Sequence, residues 1–150
     1  MPTVVDSLRS TGPALVALVT GSTAEALARR PAAGEWSAVT IIGHLADAEL
    51  VYGVRLRTAV TQPGGMLPAF DEDEWATRFG PLEDDPHRSL ARFRALRDAT
   101  VAIVESLTDD EWDRVGLHEE LGELSVRQLV DRLVAHDGNH LDQLRTALAQ

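Results

Sequence analysis

Four long stretches of this sequence place their apolar residues three or four positions apart, and that period most restricts what the chain can fold into. Successive residues of an α-helix are set about 100° apart, so such spacing lines up one greasy face. The first stretch runs from about Thr3 to Val19, with Val5, Leu8, Leu15, Leu18 and Val19 on its face. The second opens at Ser37 and reaches about Ala59, through Ile41, His44 or Leu45, Ala48, Val51 or Tyr52, and Leu56. The third covers about Pro86 to Leu107, marked by Leu90, Phe93, Leu96, Val101, Val104 and Leu107. The fourth starts near Ser125 and continues almost to the end. Alternating β-branched runs are scarce, whereas Ala, Leu, Arg and Glu abound, as a helical chain requires. Helices of about 17 to 25 residues span roughly 25–37 Å each. Matched lengths of this kind predict an all-α four-helix bundle with a long crossover between the second and third helices. Residues 1–150 suit one domain with one core, without internal repeat or low-complexity tract.

The interruptions carry their own signals. Gly12-Pro13 should kink the first helix or start a new segment. After Gly21-Ser22, a short helix is expected, capped by Ser22 or Thr23 with Glu25 in its first turn. Arg30 to Trp36 reads as a loop that Trp36 tacks onto the core. From Thr61 to about Asp85 the pattern lapses, and a structureless connection that long is uncommon in a compact domain. Asp71 to Phe79 should therefore form a short helix whose leading acids complement its dipole. Phe70, Trp75 and Phe79 would pack it over one end of the bundle, as a plain crossover or as a lid. Thr108-Asp109-Asp110-Glu111 has the pattern of a capping box, Trp112 anchors that connection, and Glu119 to Gly122 is a turn.

Composition excludes whole classes of function. With 14 Lys+Arg against 24 Asp+Glu, the net charge is −10, and every cation is Arg. Such acidity opposes a phosphate-neutralising surface, so nucleic acid is not an expected partner. The absence of cysteine removes disulfides, thiolate metal sites and a cysteine nucleophile. No apolar run approaches the roughly 18 residues a membrane span needs. The N-terminus lacks the basic and apolar regions of a signal peptide, so a cytoplasmic location is expected.

The fourth helix then breaks its own pattern. Its stripe reads Val126, Leu129, Leu133, His136, His140, Gln143, Ala147, so two histidines stand where leucine should. His136 and His140 lie one turn apart, about 40° around the axis, close enough to share an ion. A lone histidine on an apolar face is more often a hydrogen-bonded core residue than a ligand. Here His44 adds a third on a core-facing stretch. Three imidazoles meeting inside a bundle would be poorly paired without a metal, and with one they leave an open coordination position. Zinc proteases share the His-x-x-x-His spacing, but they place Glu after the first His and a further ligand downstream. Asp137 occupies that place here, and neither His nor Glu follows His140. His87 at a helix start and His118 beside Glu119 and Glu120 read as surface residues. Asp47, three residues after His44, and Gln143, two turns beyond His136, could orient the imidazoles from behind. Asp137 and Asn139 point away from the shared face. Gly138 also lies on the far side, where it would permit close packing within or between subunits.

Trp36-Ser37-Ala38-Val39-Thr40-Ile41-Ile42-Gly43-His44-Leu45-Ala46-Asp47-Ala48-Glu49 resembles the second helix of the DinB-like superfamily. Leu124-Ser125-Val126-Arg127-Gln128-Leu129 through His136-Asp137-Gly138-Asn139-His140-Leu141-Asp142-Gln143-Leu144 resembles its fourth. The likeness in order and spacing covers essentially the whole chain. It implies an up-down-down-up bundle in which His44, His136 and His140 hold a divalent metal, commonly zinc or nickel. Members include bacillithiol S-transferases and mycothiol-dependent maleylpyruvate isomerases, and many form homodimers. The resemblance thus implies a metal-dependent thiol S-transferase acting on small electrophiles with a low-molecular-weight thiol as cosubstrate. A metal-stabilised stress-related binding protein and a metal-dependent hydrolase are the alternatives. No catalytic residue beyond the ligands is assigned.

Overall fold

The computed structural model of the protein describes residues 1–82 and 84–150. Six helices are present among them: α1 (Val4–Thr20), α2 (Ala24–Ala28), α3 (Ala38–Thr61), α4 (Glu72–Phe79), α5 (Pro86–Ser106) and α6 (Val126–Leu148). The four long ones, α1, α3, α5 and α6, form the bundle. Both α1 and α3 pack against both α5 and α6, so α1 stands diagonal to α3 and α5 diagonal to α6, while the crossover joins the adjacent pair α3 and α5. The chain is thus predominantly helical, as its periodicity predicts.

Capping chemistry sets the starts. Thr3 and Ser125 each close a capping box, with Asp6 and Gln128 respectively. Ser37 accepts from the Thr40 amide at the head of α3, and Asp71 from the Glu74 amide at the head of α4. Pro86 opens α5, where its missing N–H costs no hydrogen bond. Pro13 does not divide the first helix, which runs unbroken from Val4 to Thr20. At Thr108 only half of the expected capping box forms. The Thr108 amide donates to Glu111, the Thr108 hydroxyl donates to Asp110, and a single 3-10 turn follows at Glu111–Asp113.

A small sheet was not legible in the helical pattern. It comprises β1 (Met66–Leu67), β2 (Val115–His118) and β3 (Gly122–Ser125) in spatial order β1-β2-β3. β1 pairs parallel to β2 with Met66 opposite Leu117; β2 pairs antiparallel to β3 with His118 opposite Gly122. Gly122 takes φ +75°, which the tight turn between them needs and side chains avoid. A Cβ on Gly116 would overlap the Leu67 side chain, so only glycine admits the β1–β2 contact. This sheet ties the crossover to the second connection and closes one end of the bundle.

The buried apolar residues fall into two groups. One contains Leu8, Tyr52, Leu56, Val101, Leu129 and Leu133; the other contains Leu15, Ile41, Leu45, Phe93 and Leu144. At or beside the junction of the two groups each long helix holds buried or half-buried polar residues: Thr11, His44 and Glu49, Arg97, and His136, Asp137 and His140. The bundle therefore has a polar waist between two greasy halves. Gly138 is exposed, and nothing among the described residues stands within 4 Å of where its Cβ would be. No close helix packing within the chain accounts for it. No helix among the described residues is long and apolar enough to cross a membrane.

Candidate metal centre

His44 of α3 meets His136 and His140 of α6 at the waist. Its Nε2 lies 2.9 Å from His136 Nε2 and 3.1 Å from His140 Nε2. One ligand atom from each ring falls within 4.8 Å of the others. Helix geometry explains the convergence: the i,i+4 pair on α6 presents adjacent edges to a single residue on the facing helix.

The donor set fits a cation. Gln143 Oε1 lies 2.8 Å from His140 Nδ1, which donates to it and so leaves the inward Nε2 as a lone pair. His44 Nε2 faces two imidazole nitrogens at once, and a single ring N–H can donate to only one. His136 Nδ1 is buried with no hydrogen-bond partner. Burial, followed by the neighbouring His140 and His136, lowers the His44 pKa to about 3. Burial, with His140 next, lowers that of His136 to about 4. Neutral, metal-competent rings are therefore the ground state of His44 and His136 at neutral pH. Four-coordinate zinc–imidazole bonds of about 2.0–2.1 Å place ligand nitrogens about 3.3 Å apart, close to the separations found here.

Aromatic rings wall the centre. Trp36 lies nearly parallel to His140 with centroids 6.3 Å apart and stands 5.0 Å from His44. Phe70 stacks on His44 at 6.4 Å, and Trp75 meets Phe70 edge-on at 4.9 Å. Phe79, expected to pack down with them, is instead 43% exposed and touches Trp75 edge-on. Trp75 of α4 thus backs Phe70, which stacks on His44 just ahead of the helix, while the far end of α4 faces solvent.

The same helix contributes a residue that the sequence did not place at the centre. Glu72 places Oε2 3.9 Å from His44 Nε2 and Oε1 4.0 Å from His136 Nε2. Partial burial raises its pKa. In sequence it is one of four consecutive acids at a helix start, and nothing there distinguishes it from Asp71 or Asp73. Only the tertiary fold selects it.

Of the two residues expected to support the imidazoles, Gln143 contacts His140. Asp47 accepts from Arg92 at 2.9 Å, on the side of α3 that faces α5, and the structure does not bring it to the histidines. Burial raises the Asp47 pKa against the pull of Arg92. Asp137 points away from the centre as expected, but it is buried and joined to Arg97. His87 is exposed, as expected. His118 is not a surface residue: it is 6% exposed because it lies on β2, a strand that the polar sequence around it conceals.

A diagonal four-helix bundle with a three-histidine centre defines a recognisable class of protein. The sequence profile of the DinB superfamily matches residues 7–144, and the chain belongs to that superfamily. An Oceanobacillus iheyensis protein named "putative metal-dependent hydrolase" is 29% identical over 126 residues, covering 83% of this chain and 72% of that protein. YfiT of Bacillus subtilis, also named "putative metal-dependent hydrolase", is 25% identical over 109 residues, 72% of this chain and 61% of its own length. The solved structure of YfiT, described as a probable metal-dependent hydrolase with an unusual four-helix bundle topology, superposes with a TM-score of 0.89. It covers 96% of this chain and 83% of that one at 21% identity, a likeness of fold.

Proposed function

We propose that this chain is a divalent-metal-dependent enzyme that activates water to hydrolyse a small substrate. One observation carries the reading: three imidazole Nε2 atoms converge while the Glu72 carboxylate faces two of them from 3.9 and 4.0 Å away. His44, His136 and His140 would hold the ion, with zinc or nickel the ions best suited to three imidazoles. A dication there supplies Lewis acidity and lowers the pKa of a water or thiol that reaches it. The chain's own residues do the rest. Glu72 accepts the proton of the attacking water and returns it to the leaving group. Gln143 holds the His140 ring, and Trp36, Phe70 and Trp75 restrict bulk water. The names of the relatives support the hydrolytic reading.

A second reading, transfer of a low-molecular-weight thiol such as bacillithiol or mycothiol, is favoured by the space around the centre. A cleft of about 540 Å³ touches Trp36 and Gln143, and a separate cavity of about 280 Å³ touches His136 and Glu72. Two spaces suit two substrates, and with no cysteine in the chain the thiol has to be one of them.

Metal content and turnover test both. Wild type should bind one zinc or nickel per chain, and His44→Ala should lose it. Glu72→Gln should keep the metal and lose about 10²–10⁴-fold in kcat, the range of a general base. A panel of esters and amides, set against a haloarene supplied with each thiol, separates hydrolysis from transfer. Wild type that binds neither ion after repletion would overturn the metal-dependent reading.

A further inference from the structure

Arg55 of α3 is a buried cation, 7% exposed, whose hydrogen-bond partners are neutral. Its Nε donates to the Pro68 carbonyl at 2.8 Å, its Nη2 stands 3.2 Å from His118 Nε2, and its guanidinium lies 5.0 Å from the Tyr52 ring centroid. No carboxylate among the described residues comes within 4 Å of it, whereas the other deeply buried arginine, Arg97, holds two. A guanidinium carries five N–H donors; besides the Pro68 carbonyl, Arg55 is engaged by the Tyr52 hydroxyl and feels the more distant charge of Glu72, which leaves donors over.

His118 sharpens the anomaly. Its Nδ1 accepts from the backbone amides of Glu120 at 3.2 Å and Leu121 at 3.3 Å, in the turn between β2 and β3. A neutral imidazole has one acceptor and one donor nitrogen, so Nε2 then carries the hydrogen. That N–H confronts the Arg55 Nη2–H, donor against donor. The pair lacks a shared acceptor. Both side chains line the cavity of about 280 Å³ that also reaches His136 and Glu72.

The geometry points to a carboxylate-binding subsite formed by Arg55 and His118, which makes a small carboxylic acid anion the substrate class of the neighbouring centre. Two oxygens of one carboxylate can accept from the two converging donors, and a guanidinium matches that group in plane and spacing. Glu72 and Glu120 line the same cavity. Their charge favours a monoanion over a doubly charged phosphate and turns the ligand's carboxylate toward the Arg55 end. The proposal rests on the three-histidine centre being the reacting end of the site, but the subsite is built from different residues and can fail separately.

The test uses the full-length protein with and without zinc, titrated with acetate and propionate, with acetamide and propionamide, and with inorganic phosphate. In zinc-free protein, where no carboxylate can bind through the metal, the acids should bind about tenfold or more tighter than the amides, the range for hydrogen bonds to a charged group. Arg55→Gln and His118→Leu should each remove most of that preference while leaving zinc uptake intact. Ring ¹⁵N spectra should show His118 protonated at Nε2, with that proton shifting on addition of acetate. Equal binding of acids and amides, a ring protonated at Nδ1, or tighter binding of phosphate than acetate would overturn the subsite. The wild-type comparison and the ring spectra decide the matter even if Arg55→Gln does not fold. Loss of zinc uptake by wild type would instead overturn the proposed function and leave the acid-over-amide preference standing.

Discussion

Two polar clusters interrupt the same bundle waist, and they differ in what they need from outside. The first joins all four long helices through Arg97. Its guanidinium donates to Asp137 at 2.7 and 3.1 Å, to Glu49 at 2.7 Å and to the Leu8 carbonyl at 2.8 Å, and Thr11 donates to Asp137 at 2.8 Å. The Phe93 ring covers it, centroid 4.7 Å away. The side chains of Arg97, Glu49 and Asp137 are all at most 5% exposed. Among the described residues, only Glu49 Oε1 and Arg97 Nε lack partners there. The second cluster is the histidine triad, where like atoms face one another and, among the described residues, no opposite charge lies closer than Glu72. Buried polarity that the chain satisfies by itself holds helices together; buried polarity that it leaves open marks a place for something else.

Removing Arg97 gives the largest effect expected from this contrast. Arg97→Met would strand two buried carboxylates and cost about 3–5 kcal/mol, a large part of the roughly 5–15 kcal/mol that holds a domain folded. Denaturant unfolding of the variant measures it. Replacing Glu49 and Asp137 with apolar residues as well should recover most of the loss, because an ion cluster often contributes little net stability over good packing. If Arg97→Met unfolds with the wild-type midpoint, the cluster is not what ties the helices together.

The triad should respond in the opposite way, to ligand rather than to truncation. An ion at 1,000 times its Kd adds about 4 kcal/mol to the native state. Zinc should therefore raise the Tm of wild type and leave that of His136→Ala unchanged. Without metal, His136→Ala should be close to wild type in stability, since it removes an imidazole whose Nδ1 is buried and unpaired. A zinc-insensitive wild type would erase the distinction between the clusters.

Acidity separates them further. His44 and His136 titrate at about 3 and about 4 in the folded chain, against about 6.5 when unfolded. Between those values the unfolded chain binds protons that the native one refuses, so stability rises with pH. Metal-free protein should keep its full stability above about pH 6.5 and lose it steadily as pH falls toward 4. His44→Leu should flatten that slope, as urea midpoints measured at half-unit intervals would show. An unchanged slope would mean that His44 is not the buried neutral group its surroundings make it.

Much of this contrast was written in the sequence, though unevenly. The triad was legible because the α6 stripe turns from leucine to histidine at i,i+4, a pattern that survives without knowledge of packing. The Arg97 cluster had a comparable signal on α5, where Phe93, Arg97 and Val101 fall four apart; the face drawn through Leu96 missed it, and Leu96 is only half-buried. Asp137 pointed away from the metal side as helix geometry required, but its destination depended on which helix lay there. The diagonal arrangement is a property of the connections rather than of any helix face. Glu72, Arg55 and His118 belong to a third kind. Their neighbours come from the crossover and the short sheet, whose two- and four-residue strands are too brief to show alternation. Long helices announce their faces, whereas short elements are positioned by what they touch.

The smallest effects test how sharply the centre is bounded. Gln143 and Asp47 are both three residues from a histidine of the triad, His140 and His44 respectively, so spacing alone ranks them equally. The structure does not. Gln143 Oε1 fixes the His140 ring from behind, and removing such a contact typically lowers metal affinity about 10–100-fold. Gln143→Leu should therefore weaken zinc binding by about tenfold with little change in folding, since Gln143 itself is exposed. Asp47 spends its carboxylate on Arg92, whose side chain is 35% exposed. Asp47→Asn should leave zinc affinity within about twofold of wild type and shift stability by no more than about 1 kcal/mol, the range of a partly exposed ion pair. Competition titrations against a zinc chelator resolve both. Equal losses in the two variants would show that the field of nearby polar groups, and not the bond to His140, sets how tightly the centre holds its ion.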